Sequence, residues 1–397
     1  MLSLPAESGA RPLRILLLTD CYAPTVNGVV RSVIDLREGL IAEGHDVRVL
    51  TFGENLRSIF DDGVYRLASI PAGAVYPHAR LGRPACPKVR RHVAEWSPDV
   101  VHSHTEFPAF RWARAIARRL GVPHVHTYHT LYEDYTHYFC PSRRLGRSMI
   151  RTWTRDVLNR PDRVIAPTSK VADVLRGYGV GAPIDVIGTG VNLGRFRPTG
   201  RAELAASIGL APNAPVVLTV GRIAAEKNLA ETLDLLARMA DVPWQWLIVG
   251  DGPDAPRLRT LIAERGLESR VHMVGAVPAD EVHRFYGLGD VFATSSRSET
   301  QGLTCHEALS SGLPVICPDD EAFRGVVVDG SNGHRYASGA DFLDAMTAVL
   351  CDGALRASLA AGARESSLEF GRDRFIASVT ETYRLAIDSR RPATALT

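Results

Sequence analysis

The chain has 397 residues, 45% apolar, 23% charged and 7% aromatic, a profile that excludes disordered, fibrous and small disulfide-stapled proteins and suits two domains. The formal net charge of +2 conceals an asymmetry: residues 1–190 hold 25 Lys and Arg against 18 Asp and Glu, whereas residues 191–397 hold 21 against 26. A basic first half points to an anionic surface or substrate met by that half, with uneven scatter of solvated charge as the plain alternative.

The stretch before Arg14 lacks an apolar h-region, and the longest apolar runs, such as Ile15–Leu18, fall far short of the ~20 residues that span a bilayer. Six scattered cysteines (Cys21, Cys86, Cys140, Cys305, Cys317 and Cys351) form no C-x-x-C pair and no metal-ligand spacing. The expectation is a cytoplasmic protein with reduced thiols, whose membrane contact, if any, is peripheral on the inner face.

Strand-length runs are predicted at Ile15–Thr19, Val47–Thr51, Val100–Ser103, His124–Thr127 and Val164–Ala166. Between them, Val30–Glu43 sets Val33, Leu36 and Leu40 on one helical face, and Ala113–Leu120 reads similarly. This alternation predicts a parallel sheet covered on both faces. The pattern restarts with strands at Val216–Val220, Trp246–Val249, Val271–Val274, Val291–Thr294 and Val315–Cys317, and helices at Leu229–Met239, Pro256–Ala263 and Cys305–Ser310. The predicted division is 1–190, 191–372 and 373–397. The last segment is an amphipathic helix that either completes the second domain or crosses back to the first.

In open α/β sheets, ligands dock at the carboxyl ends of strands, where helix starts offer free amides. After the first strand, Asn27-Gly28 precedes a helix. No G-x-G-x-x-G follows the first strand of either domain, and no P-loop is present. After Val220 come Gly221-Arg222 and Glu226-Lys227, two cations suited to a diphosphate; a solvated helix start is the alternative. After Thr294, Glu299 and Glu307 straddle a Gly302 turn, with Glu307 two turns inside the predicted helix and the Gly302–Thr304 amides facing a docked anion. A sugar nucleotide needs one carboxylate for sugar hydroxyls, a helix end for diphosphate and another carboxylate for ribose.

The spacing of Glu299 and Glu307 resembles the E-x7-E motif of retaining glycosyltransferases of family 4. Gly221-Arg222 with Glu226-Lys227 resembles that family's phosphate clamp, and Gly188-Thr-Gly-Val-Asn192 its interdomain stretch, with Gly188-Thr189 in place of Pro-Asn and Asn192 in place of Asp. The resemblance implies the GT-B architecture, two Rossmann-like doubly wound domains facing a central cleft. Thr19–Pro24 with Asn27-Gly28-Val29, His126–Thr130 and Glu299–Leu303 are similar to diacylglycerol glucosyltransferases, though Cys21 stands where Thr is commoner. What this implies is transfer of a hexose, glucose from UDP-glucose, to diacylglycerol or a related lipid, with retention. No cofactor and no catalytic metal are expected.

Carried over by position, Gly28 approaches the donor phosphates, Arg222 and Lys227 bind the diphosphate, Gly302 and Leu303 face it with their amides, and Glu307 holds the ribose. His129 lies near the transferred sugar, and Glu299 touches the hexose hydroxyls. His102, His104, His124 and His126 read as satisfied or loop histidines rather than metal ligands. Tyr128, Tyr132, Tyr135, Tyr138 and Phe139 suggest an apolar acceptor wall. Arg144, Arg147, Arg151 and Arg155 repeat at helical spacing, reading as a basic amphipathic helix for an anionic membrane or as an ordinary surface helix. A nucleic-acid partner is disfavoured. Open alternatives are a soluble polyol or aglycone acceptor, a sugar-nucleotide epimerase, and a non-catalytic binding module on the same fold.

Overall fold

The computed structural model describes residues 11–25, 27–53, 58–71, 80–82, 86–133, 142–193, 200–212, 214–278 and 280–390. The first part of the chain runs β1 (Arg14–Leu18), α1 (Gly28–Ala42), β2 (Asp46–Gly53), β3 (Ile59–Asp61), β4 (Val64–Pro71), β5 (Arg80–Gly82), α2 (Pro87–Trp96) and β6 (Val100–Ser103). It continues through α3 (Pro108–Leu120), β7 (His124–Thr127), α4 (Arg143–Leu158), β8 (Arg163–Ala166), α5 (Ser169–Tyr178) and β9 (Ile184–Val186). The second part contains α6 (Arg201–Ile208), β10 (Val216–Val220), α7 (Leu229–Ala237), β11 (Gln245–Val249), α8 (Ala255–Glu264), β12 (Val271–Gly275), α9 (Val282–Tyr286) and β13 (Val291–Ala293). It ends with α10 (Leu303–Ser310), β14 (Val315–Pro318), β15 (Gly333–Tyr336), α11 (Gly339–Cys351), α12 (Gly353–Ser367) and α13 (Arg372–Arg390).

Two sheets result, ordered β3-β4-β2-β1-β6-β7-β8-β9 (with β5 on β4) and β12-β11-β10-β13-β14-β15. All second-sheet pairs are parallel, and in the first sheet only β3 and β5 run antiparallel to β4. Ile15, Leu16, Leu17 and Leu18 are all fully buried, as expected of a strand covered on both faces. In each sheet the strand order reverses about the first strand: β1 lies between β2 and β6, and β10 between β11 and β13. The crevices for ligands therefore open at the carboxyl ends of β1 and β10.

Apolar periodicity does not mark β3, β4, β5, β9, β15, α2, α5, α6, α9, α11 or α12. Arg66 and Ser69 break the apolar run of β4, and β15 (Gly-His-Arg-Tyr) carries too little apolar character to register. The last helix crosses back. Phe375, Ile376, Val379, Tyr383 and Ala386 of α13 share a core with Ile15, Leu17, Val33 and Leu36. The fit to α1 is close, since a Cβ at Gly39 would lie 2.4 Å from Ile376 Cγ1. The two chain segments that join the domains run side by side: the Val191 amide donates to Phe370 O at 2.9 Å and the Arg372 amide to Val191 O at 3.1 Å. Gly190 permits this crossing, because a Cβ there would stand 2.8 Å from both Arg372 Cα and Phe375 Cβ. Among the described residues no helix is long and apolar enough to cross a membrane. Cys21, Cys86, Cys305, Cys317 and Cys351 are free, and Cys140 lies outside the described residues.

Candidate active site

Two helix starts face one another across the cleft. The Asn27 side chain accepts the Val30 amide at 2.9 Å and caps α1, leaving Gly28 at the helix tip. A Cβ on Gly28 would stand 3.7 Å from Leu303 Cδ1, at the tip of α10. Gly302 starts α10 with φ of +73°, and a Cβ there would meet Phe323 Cε1 at 2.7 Å. Only glycine tolerates both the angle and the contact. The first intrahelical bond runs from the Cys305 amide to Gly302 O, so the Leu303 and Thr304 amides lie ahead of the ladder and are available to an anion.

The cations stand in the neighbouring loops, each already engaged by a carboxylate. Arg222 pairs with Glu226, and Lys227 Nζ donates to Glu299 Oε1 at 2.5 Å. The predicted phosphate cation and the predicted sugar carboxylate thus form one ion pair joining two loops. Burial opposes ionisation of Glu299, but Lys227, a Ser296 hydrogen bond and Lys170 outweigh it and hold the carboxyl below its ordinary range. Glu307 sits about one turn inside α10, which begins at Leu303, rather than two. It accepts the Tyr286 hydroxyl at 2.7 Å, and burial together with Glu307 pushes that phenol up.

Gly250-Asp251-Gly252 follows β11 directly and shapes the donor loop without matching any of the motifs above. A Cβ at Gly250 would lie 1.9 Å from Gly221 O and one at Gly252 2.3 Å from Ile223 O. This backbone-on-backbone contact fixes the course of the Arg222 loop. A pair of glycines flanking Asp immediately after a strand was the available signal.

At the carboxyl edge of the first sheet, His129 Nε2 and His104 Nδ1 are hydrogen-bonded at 3.1 Å. Burial, with a smaller contribution from His126, pulls His129 down to about 3, so it works as a neutral imidazole. His102 bonds Tyr383 and Thr127 at 2.7 Å each, and Ser103 Oγ bridges His124 and His126, also at 2.7 Å. Two buried carboxylates accompany them. Glu106 is bonded by His126 and by the Tyr132 hydroxyl, and burial raises Asp20 to about 6. Sequence reasoning gave neither a role: Asp20 falls inside the Thr19–Pro24 stretch without a spacing that singles it out, and Glu106 lies in no motif. Among the described residues no three His, Cys, Asp or Glu side chains come together as a metal-ligand group.

The acceptor wall requires correction. Tyr128 is fully buried in the core and cannot line it, while Tyr135, Tyr138 and Phe139 lie outside the described residues. Tyr132 instead clusters with Phe107 and Trp153, the three ring centroids 5.5 to 5.9 Å apart. On α4, Arg144 and Arg147 are exposed beside Leu145 and Met149, each 58% exposed. Arg151 turns back to donate to Gly177 O at 2.6 Å, and Arg155 lies against Asp156 and the Gly179 turn. All four arginines remain exposed, with Arg151 and Arg155 also tied to the α4–α5 contact.

Opposed doubly wound domains, with a glycine-started helix and paired cations at the switch point of the second, define a glycosyltransferase of the GT-B fold. The chain belongs to glycosyltransferase family 4. The Glycosyltransferase Family 4 profile matches residues 26–195, and the Glycosyl transferases group 1 profile matches residues 200–366. The alpha-monoglucosyldiacylglycerol synthase of Streptococcus pneumoniae is 32% identical over 85% of this chain and 78% of its own. The enzyme of the same name from Acholeplasma laidlawii is 30% identical over 95% and 98%. A GDP-mannose-dependent alpha-mannosyltransferase of Corynebacterium glutamicum is 29% identical over 81% and 76%. Among solved structures, sucrose-phosphate synthase from Thermosynechococcus elongatus superposes with a TM-score of 0.76 at 21% identity, covering 95% of this chain and all of that one. The protein is a hexosyltransferase.

Proposed function

We propose that the enzyme transfers glucose from UDP-glucose, with retention and without a catalytic metal, to the free hydroxyl of diacylglycerol or a related lipid at the inner membrane surface. The observation that carries the donor half is the meeting of the α10 start, Arg222 and the Lys227–Glu299 pair at the carboxyl end of β10. As the glycosidic bond breaks, negative charge grows on the leaving diphosphate. Fixed amides and cations stabilise that charge more in the transition state than in the ground state. Lys227 is shared between Glu299 and phosphate, so sugar and diphosphate are held through one connected pair. Arg222 exchanges Glu226 for phosphate on binding. Glu307, oriented by Tyr286, takes the ribose, and neutral His129 faces the hexose.

Support for the lipid acceptor comes from the two relatives named for diacylglycerol glucosylation and from the apolar and basic exposure on α4. The GDP-mannose-dependent relative favours a second reading of the donor, with guanine and mannose. A nucleotide-release screen of UDP- and GDP-sugars against diacylglycerol and soluble polyols separates the two readings. UDP release that requires UDP-glucose together with diacylglycerol is expected, with an α-anomeric product by NMR; release confined to GDP-mannose or to soluble acceptors rejects the reading. Accumulation of an epimerised sugar nucleotide without acceptor would identify an isomerase.

A further inference from the structure

The loop that carries Glu299 and the start of α10 is held from outside its own domain. The Thr168 hydroxyl, at the cap of α5, donates to Thr300 O at 2.9 Å. The Gln301 side chain closes on the Thr189 backbone in both directions, accepting its amide at 2.9 Å and donating to its carbonyl at 2.8 Å. One turn into the same contact, Lys170 Nζ reaches across the cleft to Asp320 Oδ1 at 2.6 Å, both side chains less than a fifth exposed. A cation in the first turn of a helix is disfavoured by the helix dipole, so the ammonium needs this partner, and the partner lies in the other domain.

Asp320 is joined to the donor loop. Its Oδ1 also accepts the Ala322 amide at 2.8 Å, and its carbonyl accepts the Phe323 amide at 3.0 Å. That turn places the Phe323 ring against Gly302. Lys170 is also among the charges that keep Glu299 ionised. The contact therefore acts at once on the helix start and on the carboxylate assigned to the hexose.

We propose that Lys170 is a positioning residue of the first domain: through Asp320 and the Phe323 turn it holds the Glu299–Gly302 loop in its hexose-binding form, so that the sugar subsite is complete only when the two domains are closed. This rests on the donor-site reading above. The nucleotide subsite meets this contact only at Gly302, its Arg222 and Glu307 being held by Glu226 and Tyr286, whereas the hexose subsite meets it through Glu299 itself.

The test is calorimetric binding and steady-state kinetics on the full chain, with UDP and UDP-glucose as probes (GDP and GDP-mannose if the release screen selects guanine). Lys170→Met is expected to weaken UDP-glucose about tenfold, the scale of a coupling between distant contacts, while UDP stays within about twofold. Lys170→Arg is expected to retain most of the affinity. Asp320→Asn is expected to act in the same direction, and Lys170→Met with Asp320→Asn to cost no more than the worse single change. Equal losses for UDP and UDP-glucose, no loss for either, or additive losses in the double variant overturn the proposal. Glu307→Ala runs alongside: if it binds UDP as the parent does, the donor-site reading fails whatever Lys170 does.

Discussion

Glu299 and Lys227 are 72 positions apart and 2.5 Å from each other. The sequence marks each separately, Glu299 by its eight-residue offset from Glu307 and Lys227 by its five-residue offset from Arg222, but only the packing of two post-strand loops makes them one pair. Glu299→Gln keeps the size and removes the charge, and turnover is expected to fall about a hundredfold or more, the scale of losing a preorganised contact at a developing charge; a fall of less than tenfold in kcat would reassign the residue. The buried histidines make a second prediction. His129 and His306 are lowered by burial from 6.5 to about 3 and about 4, and His102, His104 and His124 shift the same way. The unfolded chain takes up these protons first, so the stability they contribute is present above pH 6.5 and is lost as pH falls towards their folded values. Asp20, raised to about 6 by burial, has the opposite sign: its contribution is full below pH 3.8 and is lost as pH rises through 6, so it offsets part of the histidine effect. The urea midpoint should therefore fall between pH 7 and pH 5. His306→Asn, whose amide nitrogen replaces the Nδ1 bond to Gly302 O, should remove about 2 kcal/mol of that fall.

Elements were legible where apolar character runs unbroken. The ten predicted strands all coincide with observed ones to within two residues at each end, since a parallel strand buried on both faces must be apolar along its length. The start of α10 was read two residues late because Leu303 and Thr304 look like loop continuing from Gly302, and helix starts are set by capping geometry rather than by apolar period. That start tolerates little. Gly302→Ala forces a left-handed angle on a Cβ 2.7 Å from Phe323, and a loss of about 1–3 kcal/mol is expected, with weaker UDP binding by calorimetry; unchanged affinity would show that the α10 amides do not meet the phosphates. The home of α13 was not legible at all, because an amphipathic stripe says that a face is buried and not against which core. The answer lies in partners such as Gly39 and His102, far away in sequence. Tyr383→Phe removes the hydroxyl at 2.7 Å from His102 Nδ1 and leaves a buried ring nitrogen unpaired, a cost of about 1–3 kcal/mol by urea denaturation. A neutral result would mean that α13 is held by its apolar face alone.

At the scale of the whole molecule, the charge imbalance between the two halves of the chain gains a location. The exposed Leu145 and Met149 stand on α4 beside Arg144 and Arg147, and the Phe107, Tyr132 and Trp153 rings lie against the same helix, near the carboxyl edge of the first sheet where the proposed lipid acceptor would arrive. A diacylglycerol hydroxyl sits at the bilayer interface, so this face is the one that would rest there, apolar side chains inserted and arginines at the headgroups. The four arginines are not equivalent. Arg151 and Arg155 are engaged with the α4–α5 contact, and their loss should affect stability more than docking. On the proposed lipid reading Arg144 and Arg147 would carry the docking: at about 1 kcal/mol per basic residue near an anionic surface, Arg144→Ala with Arg147→Ala should reduce partitioning onto phosphatidylglycerol vesicles about thirtyfold. The same change should leave partitioning onto phosphatidylcholine unaltered, and raised salt should erase the difference between variant and parent. Co-sedimentation reads all three, and release of nucleotide with a water-soluble short-chain diacylglycerol shows whether the catalytic cleft survives the substitutions. Equal sedimentation of parent and variant on anionic vesicles at low salt would detach the lipid reading from α4 and send the search for the acceptor to a different face of the first domain.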